Sequence, residues 1–447
     1  MEDTIVALSS GALPAGVAVV RVSGPAARRV VERLAGAVPE PRRASLRRIR
    51  DEAGALLDRG LVLFFPGPDS ATGEDLAEFH LHGGRATVAR FVEAATSLPG
   101  LRLAEAGEFT RRAFVNGRID LTEAEGLSDL LAAETERQRR AALLQAEGGS
   151  RRLFEEWGTR LLHARALIEA SFDFSDEGDV GEGVDAGVRA EVAALAAEID
   201  AHLRGAARGE ILRDGFRVAI AGAPNAGKSS LLNALARREV AIVTPVPGTT
   251  RDVLEVTLDL AGLPVRLFDT AGLRETADPV EAIGIARARE AVERADLVLW
   301  LDAADGAETE AAAAALLHVK QGATGAPRPG LRVRSKADLA GAPPEGAHDL
   351  AISVRTGAGL DALLAVLAAR ADAAAGAADA LPLQARHRAA LVETRRALAD
   401  FARAPDMLPE VAAEILRDAA DRLGRLTGRT DVEDLLGVIF SRFCIGK

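Results

Sequence analysis

Apolar and polar positions change rhythm several times along the 447-residue chain. From residue 1 to about 118, short alternating runs ("VAVVRVSG", "GLVLFF", "AEFHLHGG") are separated by Gly/Pro turns. Two stretches there, "AARRVVERLAG" and "ATVARFVEAATS", carry apolar residues at helical spacing. Period two mixed with period 3.6 predicts an α+β domain. Between 119 and 210 proline is absent and long Ala/Leu/Glu/Arg segments repeat at helical spacing, which predicts helices. From 211 to 378 strands ("FRVAIAG", "VLEVTLDL", "VRLFDT", "ADLVLWLD", "HDLAIS") alternate with helical stretches, the pattern of a doubly wound α/β domain. After the low-complexity "ADAAAGAADALP", residues 379–447 return to a helical pattern. That last block reads either as a linker and tail or as the missing half of the 119–210 block. The second reading is favoured, because packing two amphipathic blocks together buries both apolar faces. The expected fold class is therefore multidomain α/β: an N-terminal α+β domain, a discontinuous all-α domain, and an α/β domain inserted into it.

Composition agrees with this division. A chain of this length exceeds one core. Its 27% charged and 48% hydrophobic residues are those of an ordinary globular protein. A formal net charge of -11 argues against non-specific coating of nucleic acid, and the clusters "PRRASLRRIR" and "RQRR" read first as solvated faces. No apolar run is long enough to span a bilayer, and "MEDTIVALSS" lacks the features of a signal peptide, so a cytoplasmic location and no membrane partner are expected. The one cysteine, Cys444, fits a reducing compartment, and "CIGK" does not satisfy a prenylation box.

The strongest chemical signal is "GAPNAGKSS", Gly222 to Ser230, which fits G-x-x-x-x-G-K-[ST] between a strand and a helix. Such a loop curls backbone N–H groups around phosphates, here through Asn225, Ala226, Gly227 and Ser230. Lys228 would reach the β and γ phosphates, and the Ser229 hydroxyl would take Mg²⁺. Asp269 ends an apolar strand and opens "DTAG". It would be the metal-side carboxylate, with Thr270, Ala271 and Gly272 lining the γ phosphate. In "SKAD", Ser335 to Asp338, an aspartate at position 338 can accept two donors from guanine, a pair that adenine does not offer. Lys336 accompanies it, and the later loop Ser353, Val354, Arg355 would flank the base. The usual motif is N-K-x-D, so Ser335 stands where an amide normally ties the base pocket to the phosphate loop, and weaker nucleotide affinity is expected. An ATPase would require Asp338 to be irrelevant.

Taken together, "TIVALSSGALPAGVAVVRVSG", "GEFTRRAFVNGRIDLTEAEGLSDLLAAET", "GAPNAGKSSLLNAL", "VPGTTRD", "DTAGLRETADPVEAIGI" and the terminal "FCIGK" are similar to the MnmE (TrmE) family of tRNA modification GTPases, from end to end. The GTPase motifs alone would also fit ribosome-assembly GTPases; the N-terminal segment and "FCIGK" are the specific part. The resemblance implies a folate-binding, dimerising domain over 1–118, helical parts over 119–210 and 379–447, and a G domain over 211–378. It implies a homodimer that works with the flavoprotein MnmG on the wobble uridine of tRNA. A tetrahydrofolate derivative, 5-formyl- or methylene-tetrahydrofolate, is the implied one-carbon cofactor. Residue by residue, it implies folate contacts at Arg21, Glu78, Arg118 and Lys447. Position 118 is often lysine in relatives, which keeps the charge and not the shape. Cys444 lies close in sequence to Lys447, and for it a catalytic role and simple packing both stand.

One position departs from signalling GTPases. Leu273 replaces their water-positioning glutamine and cannot hydrogen-bond water. The resemblance passes that role to Glu281 in "DPVEAIGI". It also implies that K⁺ supplies the charge an arginine finger would bring, held by Asn225 with Thr244, Val246 and Thr249, while Thr250 serves Mg²⁺. Pro245 and Pro247, followed by Gly248, depart from the common "TDIAGTT" pattern and stiffen this loop.

Overall fold

The structure, a computed structural model, describes residues 3–173, 181–223, 225–242, 255–269, 295–303, 330–339, 348–376, 383–403, 407–429, 433–441 and 443–447. The chain divides into two compact units: residues 1–128, 145–193 and 393–447 form one, and residues 129–144 and 194–392 the other.

In chain order the elements begin with β1 (Thr4–Leu8), β2 (Ala15–Ser23), α1 (Ala27–Ala35), β3 (Ser45–Arg50), β4 (Leu56–Phe65) and β5 (Leu76–Gly83). Next come α2 (Arg85–Thr96), β6 (Leu101–Leu103), α3 (Glu108–Val115), α4 (Leu121–Ala132), α5 (Glu136–Ala146), α6 (Gly149–Asp173), α7 (Gly181–Arg204) and α8 (Ala206–Asp214). They are followed by β7 (Phe216–Gly222), α9 (Lys228–Ala236), β8 (Glu255–Leu260), β9 (Leu263–Asp269), β10 (Leu297–Ala303), β11 (Gly330–Ser335) and β12 (Leu350–Ala351). The described elements end with α10 (Leu360–Ala375), α11 (Ala385–Arg403), α12 (Pro409–Thr427) and α13 (Glu433–Phe440).

In the first unit a six-stranded sheet runs in the order β3-β4-β5-β2-β1-β6, antiparallel except where β1 meets β6. Alternation along β2 sends Ala18, Val20 and Val22 to the face covered by α1 and α2, where they join Phe64, Phe79 and Phe91 in one core. The rings of Phe79 and Phe91 sit 4.7 Å apart, and burying each stabilises the domain by about 2 to 3 kcal/mol. The opposite face carries Ile5 and Ala7 against Ala104 and Phe109, and Arg21 and Glu78 alternate onto that face.

The helical part of this unit starts at a capping box. Asp120 Oδ1 accepts the Glu123 N–H at 2.7 Å, and Glu123 Oε2 accepts the Asp120 N–H at 2.7 Å. Helices α6 and α12, from the two helical stretches that flank the α/β region in sequence, pack along one another. Pro409 opens α12 and Gly428, at φ 86°, closes it.

The second unit is built on a sheet of order β12-β11-β10-β7-β9-β8, parallel except for β8. Its central strands are apolar on both faces, as a covered parallel sheet requires. After β7 the chain moves to one side, through β8 and β9, and then to the other, through β10. The carboxyl end of β7 is therefore the switch point at which doubly wound folds open a ligand crevice.

Candidate functional site: a phosphate loop and a base pocket

The phosphate loop leaves β7 at Gly222, whose φ is 149° and where an added Cβ would lie 2.4 Å from the Leu301 carbonyl oxygen, so only glycine fits. Asn225 takes a left-handed conformation at φ 64° and Gly227 another at φ 93° before α9 begins at Lys228. The Lys228 ammonium donates to the carbonyls of Gly222 and Ala223 at 2.9 and 3.0 Å, which holds it over the loop. Ser229 Oγ donates to Asp269 Oδ2 at 2.8 Å, so the expected metal hydroxyl and carboxylate, far apart in sequence, are adjacent in space. Two hard oxygens at the lip of a phosphate loop suit Mg²⁺.

Beside the loop is a cavity of about 400 Å³, lined among others by Gly227, Ser335, Lys336, Asp338, Val354 and Arg355. It is large enough for a purine nucleoside. Asp338 Oδ1 accepts from Ser353 Oγ at 2.5 Å and Oδ2 from Arg355 Nε at 2.7 Å. The Ser353 hydrogen bond, with that of Arg355, holds its carboxyl below the usual carboxylate range.

Ser335 corrects one expectation. Its side chain is buried, and its hydroxyl donates to the Ala226 carbonyl at 2.6 Å, with the Asp302 carbonyl at 3.3 Å. The link between base pocket and phosphate loop, expected to be lost with the amide, is kept by a shorter donor.

Thr244, Pro245, Val246, Pro247, Gly248, Thr249, Thr250, Thr270, Ala271, Gly272, Leu273 and Glu281 lie outside the described residues. Of the implied K⁺ ligands only Asn225 is described.

In the first unit Arg21 and Glu78 face each other across β2 and β5, bonded at 2.8 and 3.1 Å, and Arg21 lies 5.9 Å over the Phe109 ring. Arg118 contacts Asp69 at 3.4 Å. It sits beside Asn116, which donates to the Thr72 carbonyl; Thr72 in turn bonds Ser23, two residues along β2 from Arg21. Lys447 closes the tail by donating its N–H to the Cys444 carbonyl. Its neighbour Gly446 packs on Leu8, next to Ala7, the residue that pairs with Arg21. Cys444 is exposed. The four implied folate residues thus fall on or around the sheet face that α1 and α2 leave uncovered.

Sequence reasoning missed two groups on this face. His80 places Nε2 3.5 Å from Glu78 Oε2; its position two residues along a strand from Glu78 was the available signal. Arg112 is fully buried and bonds Asp3, Glu74 and Glu108. Burial raises the Glu108 carboxyl, but hydrogen bonds from Arg102, the Glu105 N–H and Arg112 outweigh it and hold Glu108 at about 2.

A glycine loop at the switch point, a lysine folded over it and a serine–aspartate pair at its lip define a P-loop nucleotide hydrolase. Comparison with known proteins narrows the class. The model of the MnmE helical domain matches residues 121–444, and that of the GTP-binding protein TrmE N-terminus matches residues 4–118. The chain is 55% identical to the tRNA modification GTPase MnmE of Mesorhizobium japonicum, over all of this chain and 99% of that one. It is 51% identical to the protein of the same name from Brucella canis, over 100% and 98%. Among solved structures, Aquifex aeolicus Era bound to GDP.AlF4- aligns over 40% of this chain and 66% of its own, at 26% identity and a TM-score of 0.28. The chain belongs to the MnmE family of tRNA modification GTPases. No described helix is long and apolar enough to cross a membrane.

Proposed function

We propose that this GTPase is the K⁺-stimulated subunit of a complex that, with MnmG, modifies carbon 5 of the wobble uridine of tRNA using a tetrahydrofolate one-carbon donor. The observation that carries the reading is the Ser229–Asp269 pair at the lip of the phosphate loop, in a chain that matches tRNA modification GTPases over its whole length. Lys228 and the loop N–H groups hold the β and γ phosphates, with Asn225, Ala226, Gly227 and Ser230 shaping the cradle. Ser229 and Asp269 hold Mg²⁺, with Thr250 completing the set; bound there, the ion balances charge on the phosphates. Thr270, Ala271 and Gly272 follow the γ phosphate. Asp338 reads guanine between Lys336 and the Ser353–Arg355 loop.

Leu273 leaves the attacking water to Glu281. The K⁺ set is Asn225 with Thr244, Val246 and Thr249, within the loop that also holds Pro245, Pro247 and Gly248. Arg21, Glu78, Arg118 and Lys447 take the folate. In this reading the chain is a cytoplasmic homodimer, with domains at 1–118, 119–210 with 379–447, and 211–378.

The test is the initial GTP hydrolysis rate in KCl against NaCl at matched ionic strength, with calorimetry of 5-formyltetrahydrofolate. A large K⁺ preference and folate binding are expected. Equal slow rates would remove the ion site from the proposal. Absence of folate binding would leave a GTP switch in ribosome assembly.

A further inference from the structure

We propose that the edge formed by β3 and β4 is where this chain meets the phosphate backbone of its RNA substrate, with Arg48 and Arg59 as the central contacts. The proposal rests on the reading that the chain acts on tRNA and adds a docking surface for it.

The two arginine clusters of the sequence differ in the fold. In "RQRR" every guanidinium faces an acid: Arg137 bonds Asp372, and Arg139 and Arg140 bond Glu136. In "PRRASLRRIR", among the described residues, only Arg43 has an acid partner, Glu40. Arg48 on β3 and Arg59 on β4 stand directly opposite each other on the ladder, both exposed, and neither guanidinium has an ion pair among the described residues. The acids beside them in sequence are engaged elsewhere. Asp58 accepts from the His82 ring and N–H at 2.7 and 2.8 Å, and Asp51 accepts from Arg90 at 3.0 Å. Arg50 donates to the Gly54 carbonyl, and the Nε of Arg47 is buried without a hydrogen bond.

Like charges opposite each other on a ladder destabilise a sheet. Charge on an outer strand guards against edge-to-edge pairing, and Arg48 alone would serve that end. Arg59 would not, because β4 lies inside the sheet, between β3 and β5. An anion bridging the two guanidiniums accounts for both. A net charge of -11 repels a polyanion, so a chain that acts on tRNA needs a local surface of opposite sign to meet it. The six residues of β3 run about 20 Å, room for several successive phosphates. Contacts of this kind position the RNA and carry no sequence readout.

The test is the affinity of the full-length chain for an unmodified tRNA transcript, read by fluorescence anisotropy over a range of KCl, alone and with its flavoprotein partner. Losing two phosphate contacts in Arg48→Gln/Arg59→Gln is expected to flatten the slope of log affinity against log salt by about 1.4 to 1.8, a loss of roughly 25- to 60-fold at about 0.1 M. Arg48→Lys/Arg59→Lys keeps both charges and is expected to keep the slope, as is Arg139→Gln/Arg140→Gln at the paired cluster. The Gln variant is expected to melt no lower than the unaltered chain, since a like-charge pair has been removed, and to hydrolyse GTP at the same rate without tRNA. An unchanged slope in that variant, with tRNA still bound by the unaltered chain, would overturn the proposal and leave the tRNA reading standing. Absence of tRNA binding by the unaltered chain, both alone and with the flavoprotein, would remove both. Retained tRNA binding with loss of self-association or of the flavoprotein, measured by sedimentation, would assign the edge to an acidic protein surface and also overturn the proposal.

Discussion

Replacing Ser335 with alanine tests whether base pocket and phosphate loop are coupled. The Ser335 hydroxyl reaches the Ala226 carbonyl at 2.6 Å from a side chain that is itself buried, so the bond is shielded from water in a way a surface hydroxyl is not. A neutral hydrogen bond contributes about 1 kcal/mol net, and more where a buried carbonyl is left dry. That bond acts on binding only to the extent that it pre-forms the loop, so its full value is an upper limit. Ser335→Ala is therefore expected to weaken GDP binding by up to about fivefold, measured by fluorescent-nucleotide titration. It is also expected to lower the unfolding free energy of the second unit by about 1 kcal/mol, read from Trp300, which is buried there. Loss of stability with unchanged affinity would refute the coupling and leave Ser335 a packing residue. Ser335→Asn places the family's usual amide at the same carbonyl. It is expected to tighten binding by less than Ser335→Ala weakens it, because the link already exists.

Three other outcomes follow from the geometry. Gly222→Ala sets a Cβ 2.4 Å from a backbone oxygen at a φ of 149°; a marked fall in melting temperature and loss of nucleotide binding are expected. Glu108, held at about 2 in the fold, contributes stability that is fully present above about pH 4.5 and is lost as pH falls towards 2. Allowing for screening at the open edge of its network this is about 2 kcal/mol, and Glu108→Gln should remove the pH dependence along with the stability. Asp120 behaves with opposite sign. Burial raises its carboxyl to about 6, so its contribution is present below about pH 3.8 and is lost as pH rises through 6, by up to about 3 kcal/mol. Asp120→Asn keeps the cap through Oδ1 and is expected to stabilise the first unit at pH 8. Both titrations are read from Trp157 in a Trp300→Phe background, since the chain has two tryptophans; a flat profile in either case would refute the assignment.

What could be read from sequence was local. The phosphate loop is one strand, one turn and one helix in immediate succession, so its residues carry their own geometry. The alternation of β2 and β5 likewise placed Arg21 and Glu78 on strands. What could not be read depended on which strands become neighbours. Ser335 gained its role because β11 lies beside β10, which in turn lies beside β7. His80 and Arg112 gained theirs from partners on other elements. The substitution of serine for asparagine looked like a loss because a motif records residue types and not which backbone carbonyl a shorter side chain still reaches.

The tail at residues 445–446 has a consequence for how the chain comes to be folded. Ile445 bridges Ala106, and Gly446 lies so close to Leu8 that an added Cβ would stand 2.0 Å from its carbonyl oxygen. This end of β1 therefore waits for residues made about 440 positions later. At a synthesis rate of roughly 5 to 20 residues per second this is a delay of tens of seconds, during which the rest of the sheet has formed and its far end stands open. Nascent chains arrested before residue 445 should carry a formed sheet that a protease can still cut near Leu8, and emergence of residues 445 and 446 should close that site in a single late step.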